Sequence, residues 1–211
     1  MLPELFRESL RRFPLIAILR GVSADEVVEL GNVLLECGFR VIEVPLNSPR
    51  PLQSIQRLRE SLPADCIVGA GTVLSATQVR EVASAGGQII VTPHSDPSVI
   101  RAAKDAGLIC APGVVTPTEA FAALAAGADA LKLFPAELVS PAVLAAMRSV
   151  LPPSTLMLPV GGITPESMQA YLKAGASGFG LGSALYRAGQ TLDQTTANAR
   201  RFAQAWQLRA A

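Results

Sequence analysis

The chain has 211 residues, with 18 Lys plus Arg, 17 Asp plus Glu and one His, for a formal net charge of +1. Half the residues are hydrophobic and 17% are charged, which excludes disorder as the general state and fits one domain over 1–211. The near-neutral balance supplies no long-range field for nucleic acid or an anionic membrane surface, so neither is expected as a partner.

Residues 1–13 carry Glu4 and Glu8 among arginines and lack the apolar centre of a secretion signal, so a short amphipathic helix is expected there. Downstream, short apolar runs rich in β-branched residues recur at 15–19, 41–44, 66–68, 89–91, 108–110, 130–134, 156–160 and 178–181. Nearly continuous apolar runs between helical patterns predict parallel strands buried on both faces. The segments between them, such as 25–36, 76–85 and 118–126, place Ala, Leu, Glu and Arg at helical spacing. Gly38, Gly86, Gly107, Gly127 and Gly175 each follow a small residue and precede a strand, the position of a left-handed helix stop. The gaps between these glycines are about 48, 21, 20 and 48 residues, and each long gap holds one additional strand and helix. The repeating unit is therefore about 20–24 residues.

Eight strands, each followed by a helix, predict an α/β protein: a single-domain (β/α)8 TIM barrel with a short N-terminal helix. An open doubly wound sheet of five or six strands would leave two runs unused. The length is near the lower bound of about 200 residues for a barrel, so loops are short. The longest nearly apolar stretch, 120–134, contains Gly127, Asp129 and Lys132, too interrupted for a membrane span of about 20 residues. Cys37, Cys66 and Cys110 form no C-x-x-C pair and have no metal-ligand spacing. They read as small buried hydrophobes of a soluble, cytoplasmic protein.

Barrel chemistry sits at the C-terminal ends of strands. The polar or special residues there are Arg20, Glu43, Thr72, Pro93, His94, Lys132, Gly161, Gly162 and Ser183. The 18 cations divide into fifteen arginines and three lysines, which makes each lysine easy to inspect. Strand parity puts Leu131 and Leu133 under the helices and turns Lys132 inward with Ala130 and Phe134. Desolvation lowers the pKa of such an amine, as a Schiff-base nucleophile requires; a structural pair with a buried carboxylate is the other reading. Lys104 and Lys173 lie near helix ends, where a solvated cation complements the dipole.

By the same parity Glu43 faces inward between Ile42 and Val44. Two roles are open to it, neutralisation of Lys132 or Arg20 and general acid/base catalysis. Gly161–Gly162, followed by a Thr164–Pro165 helix start, and Gly182–Ser183 give strands seven and eight glycine-rich ends, a recurrent phosphate site in barrels. Arg20 is either an anion ligand through its fork of donors or a rim ion pair. His94, the sole histidine, has no partnering nucleophile motif and is expected on a surface loop. No cluster offers metal ligands, and no metal or cofactor is expected.

Five strings run in order along the chain: IAILRG at 16–21, EVPLNSP at 43–49, GAGTVL at 69–74, LKLFPA at 131–136 and VGGI at 160–163. Together they resemble the class I 2-keto-3-deoxy-6-phosphosugar aldolases. The resemblance implies a homotrimeric barrel without cofactor that cleaves a 2-dehydro-3-deoxy-6-phosphosugar acid to pyruvate and glyceraldehyde 3-phosphate. It implies Lys132 as the Schiff-base lysine and Glu43 as the acid/base. Arg20 and Thr72 would hold the carboxylate of the pyruvate end, Gly161, Gly162, Gly182 and Ser183 the phosphate, and Pro93 and Phe134 would line the site. Gluconate-type members carry Arg in place of Asn47 and Thr in place of Val160. Asn and Val at these positions resemble the galactonate-type members, with the gluconate epimer or dual specificity as the alternative. A phosphosugar epimerase, a thiamine-phosphate-type synthase and a non-catalytic phosphate-binding barrel are the competing classes.

Overall fold

All strands but one are followed by a helix that carries the chain back to the same end, so neighbouring strands pair in parallel. The computed structural model describes residues 1–208, leaving the last three residues of the expected domain outside the described residues. It opens with α1 (Leu2–Arg12), β1 (Leu15–Ile18), α2 (Val27–Glu36), β2 (Val41–Pro45), α3 (Pro51–Ser61) and β3 (Ile67–Gly71). Then come α4 (Ala76–Ser84), β4 (Ile89–Val91), α5 (Pro97–Asp105), β5 (Ile109–Ala111), β6 (Gly113–Val114) and α6 (Pro117–Ala125). The chain continues through β7 (Leu131–Leu133), α7 (Pro141–Val150), β8 (Met157–Pro159), α8 (Pro165–Lys173), β9 (Phe179–Leu181) and α9 (Leu192–Gln207). Strands pair in the order β5-β4-β3-β2-β1-β9 in one sheet and β6-β7-β8 in another, and every pairing is parallel.

Two details depart from the sequence expectation. The fifth strand, expected at 108–110, is β5 at Ile109–Ala111, and an additional short strand, β6, follows it after Pro112, which has no N–H to give a ladder. The amide of Gly113 turns instead to Thr92 Oγ1 at 3.4 Å. The third strand lies further along than 66–68 and takes in Gly69, Ala70 and Gly71. The two sheets touch at both edges. Asp129 N donates to Cys110 O at 2.9 Å and Lys132 N to Pro112 O at 2.9 Å. On the other side a single parallel bridge joins Val160 to Gly180.

The five glycines expected to stop helices all have positive φ, from 72° at Gly107 to 101° at Gly38. Lys104 departs from its expected solvated role. Its ammonium reaches Asp129 Oδ2 at 2.6 Å, and the same oxygen accepts the amide of Cys110 at 2.8 Å. Lys173 is exposed as expected.

Side chains separate into two cores. Leu15, Ala17, Ile42, Val44, Leu131 and Leu133 pack outward against the helices. Ile16, Val41, Ile67, Ile89, Ile109, Ala130 and Leu158 face one another on the inner side of the strands. Helix α1 supplies Phe6 and Leu10 to that inner core, covering it at the N-terminal ends of the strands. Burial of such side chains stabilises by about 1.5–3 kcal/mol each. Among the described residues no helix is long and apolar enough to cross a membrane.

Candidate active site

Lys132 is the central residue of β7. Its neighbours Leu131 and Leu133 belong to the outer core and Ala130 to the inner one, so its side chain points inward. It is only 5% exposed. Nζ lies 4.4 Å from the centroid of the Phe134 ring, a contact that favours a cation weakly. Burial pushes the ammonium pKa below its usual range; Glu43 opposes this and Arg20 reinforces it.

Glu43 is the third residue of β2, opposite Ile18 on one side and Gly69 on the other. It is 2% exposed, and its Oε2 is buried without a hydrogen-bond partner in the chain. Gly71 makes room for it. A Cβ at that position would stand 1.6 Å from Glu43 Oε2, so any larger residue would evict the carboxyl. Burial pushes the pKa of Glu43 up to about 7, against the pull of Lys132 and Arg20. A carboxyl poised there can give and take a proton near neutral pH.

Arg20 follows β1 and is exposed at the strand ends. Its Nη1 donates to Asn47 Oδ1 at 2.6 Å, and Nη1 and Nη2 each lie 3.5 Å from Thr72 Oγ1. Thr72 has φ +56°. That left-handed backbone is rare for a β-branched residue and costs about 1–3 kcal/mol. Pro93 and Phe134 are half-buried at the ends of β4 and β7. His94 departs from the expected surface loop. It is half-buried, and its Nδ1 is buried without a partner. The loop is drawn in because Thr92 Oγ1 donates to the His94 carbonyl.

The second glycine-rich cluster follows β8 and β9, adjacent strands through the Val160–Gly180 bridge. Gly161 and Gly162 have φ +112° and +60°. Thr164 caps α8 as expected, accepting the Ser167 amide at 3.4 Å in a reciprocal box. Val160, just past the end of β8, is a buried apolar side chain, 8% exposed. Gly182 has open space around it, and Ser183 is exposed at the edge of a groove of about 490 Å³ between α8 and α9.

Sequence reasoning passed over three contributors. In the sequence Gly71 stands only as part of a string, and Asn47 as a departure from a pattern; neither position by itself marks the room left for Glu43 or the acceptor that holds Arg20. The carboxylate of Glu137 lies against the Gly161–Gly162 turn, 2.5 Å from where a Cβ of Gly161 would stand. The strand-end rule applied to the loop after β7 is the signal that would have found Glu137. Among the described residues no three His, Cys, Asp or Glu side chains gather closely enough to hold a metal ion.

The chain is similar to known proteins over most of its length. The family model "KDPG and KHG aldolase" matches residues 6–199. A Rhizobium meliloti (strain 1021) protein named probable 2-dehydro-3-deoxy-6-phosphogalactonate aldolase is 47% identical over 178 residues, 84% of each chain. The Escherichia coli (strain K12) protein named 2-dehydro-3-deoxy-6-phosphogalactonate aldolase is 44% identical over 195 residues, 92% of this chain and 95% of its own. A solved structure described as native KDPGal superposes with a TM-score of 0.92 at 43% identity, covering 94% of this chain and 97% of that one. With the family model spanning residues 6–199, nearly the whole chain, the chain belongs to the KDPG and KHG aldolase family.

Proposed function

We propose that the chain is a class I aldolase that cleaves 2-dehydro-3-deoxy-6-phospho-D-galactonate to pyruvate and D-glyceraldehyde 3-phosphate. The observation that carries this reading is the pair of inward side chains: an amine made less basic by burial and a carboxyl raised to about 7. The strands form one domain and close into a (β/α)8 barrel. Support for closure comes from the Lys132–Pro112 hydrogen bond at one seam and the Val160–Gly180 bridge at the other.

The neutral amine of Lys132 adds to the C2 carbonyl of the substrate. Glu43 protonates the resulting hydroxyl, water leaves, and an iminium forms. The Glu43 carboxylate, having given up its proton, takes that of the C4 hydroxyl; the freed pair forms the aldehyde C=O, the C3–C4 bond breaks, and its electrons flow into the iminium. Glyceraldehyde 3-phosphate departs, leaving an enamine of pyruvate. Protonation at C3 and attack of water release pyruvate and restore the amine. Arg20 and Thr72 hold the carboxylate; Gly161, Gly162, Gly182 and Ser183 receive the phosphate; Pro93 and Phe134 line the space between. Asn47 and Val160 favour the galactonate epimer, since Val160 offers no hydrogen bond to a C4 hydroxyl; the gluconate epimer or dual specificity is the second reading. The family resemblance also implies a cytoplasmic homotrimer. Exposed Phe121, Leu138 and Val143 are apolar side chains that an interface between copies would cover.

Borohydride reduction in the presence of pyruvate should add the mass of a reduced pyruvyl group to Lys132, and Lys132→Ala should show neither adduct nor cleavage. An adduct elsewhere, or an active Lys132→Ala, would sink the scheme. Parallel cleavage assays with the two C4 epimers decide the substrate.

A further inference from the structure

Three strand ends converge on one guanidinium. Arg20 comes from the end of β1, Asn47 from the turn after β2, and Thr72 from the turn after β3. The Asn47 contact, at 2.6 Å, is short, whereas the two Thr72 contacts at 3.5 Å are at the limit of hydrogen bonding. Arg20 and Asn47 are both exposed. An exposed arginine without a firm acceptor samples many rotamers, so its aim depends on what holds it.

We propose that Asn47 is a positioning residue of the active site: its amide oxygen aims Arg20 while leaving the guanidinium charged and an N–H edge free for the carboxylate of the keto acid. This rests on the reading of Arg20 as the carboxylate ligand. An amide is the acceptor that fits both demands. Guanidinium has five donors, and Asn47 takes one of them from Nη1. A carboxylate in the same place would accept equally well but cancel the charge. An arginine there would remove the acceptor and set two cations side by side.

The charge of Arg20 also matters beyond its own contacts. The ionisable groups facing it across the strand ends are Glu43 on β2 and Lys132 on β7; Asn47, Thr72 and Phe134 are uncharged. Arg20 holds the pKa of both Glu43 and Lys132 down. Cancelling its charge therefore moves both upward, whereas merely freeing its side chain moves them far less.

The test uses the full chain, with pyruvate and phosphosugar acid as ligands. Asn47→Ala should raise KM for the keto acid about tenfold, the loss of one charge-assisted hydrogen bond, with a much smaller change in kcat. Asn47→Asp should raise KM similarly and also shift the pH–rate profile to higher pH. Asn47→Ala should leave that profile in place. In the double variant with Arg20→Ala, removal of Asn47 should add nothing further. An unchanged KM in Asn47→Ala, an unshifted profile in Asn47→Asp, or effects that simply add would overturn the proposal. If Arg20→Ala itself leaves KM unchanged, the assignment of Arg20 as carboxylate ligand fails, and the positioning role with it. Thermal melts of each variant separate these outcomes from a loss of fold.

Discussion

At the scale of single residues, buried Lys132 and Glu43 are held in a state that folding alone would not favour. Glu43 has an ordinary pKa of 4.5 and is raised to about 7 by burial. A raised carboxyl pKa stabilises the fold fully below 4.5, where the group is neutral in both states. That contribution is lost as pH rises toward 7, because the folded state must then carry a buried charge. At about 1.4 kcal/mol per unit, the loss reaches roughly 3 kcal/mol above neutrality. Glu43→Gln should therefore resist urea better than the parent at pH 8 and equally well near pH 4.5, while turnover falls about 10²–10⁴-fold. Equal urea midpoints at both pH values would show that the carboxyl is not held neutral. Lys132 obeys the opposite sign: its lowered pKa makes acid the destabilising direction.

At the scale of elements, the register between strands decides what those residues meet. Pairing of β2 with β3 sets Glu43 opposite Gly69 and Pro45 opposite Gly71. It is this register that lays the carboxyl across Gly71. Gly71→Ala should force Glu43 out of place and reduce kcat at least tenfold, with a far-UV spectrum like that of the parent. An alanine variant with normal kcat would mean that the carboxyl works from another position. Much of this level was legible in the sequence. Parity alone turned Lys132 and Glu43 inward, because period-two alternation needs no knowledge of neighbours. The helix-stop glycines were legible for the same local reason. The pressure of Glu43 on Gly71, the grip of Asn47 on Arg20 and the approach of Glu137 to Gly161 were not. Each joins residues more than 20 apart in the chain through a pairing that the sequence does not spell out. The break at Pro112 lay between them in difficulty: the proline was visible, but its effect depended on where β7 needed an acceptor.

At the scale of the whole molecule, the inner core and the buried side chains of Lys132 and Glu43 divide one interior into two ends. Phe6 and Leu10 of α1 pack under Ile16, Val41 and Ile109, so the N-terminal end of the strands is filled. In the proposed barrel this floor leaves a single doorway, and traffic through it has a fixed sequence. In the proposed mechanism pyruvate would be tethered to Lys132 at the inner end, with the phosphorylated aldehyde between it and the exit. The aldehyde would then leave first and pyruvate last. Steady-state kinetics should then show pyruvate as a competitive inhibitor of cleavage and glyceraldehyde 3-phosphate as a noncompetitive one; the reversed pattern would require a second way out. A helix that touches no substrate would thus impose the kinetic order of the two products.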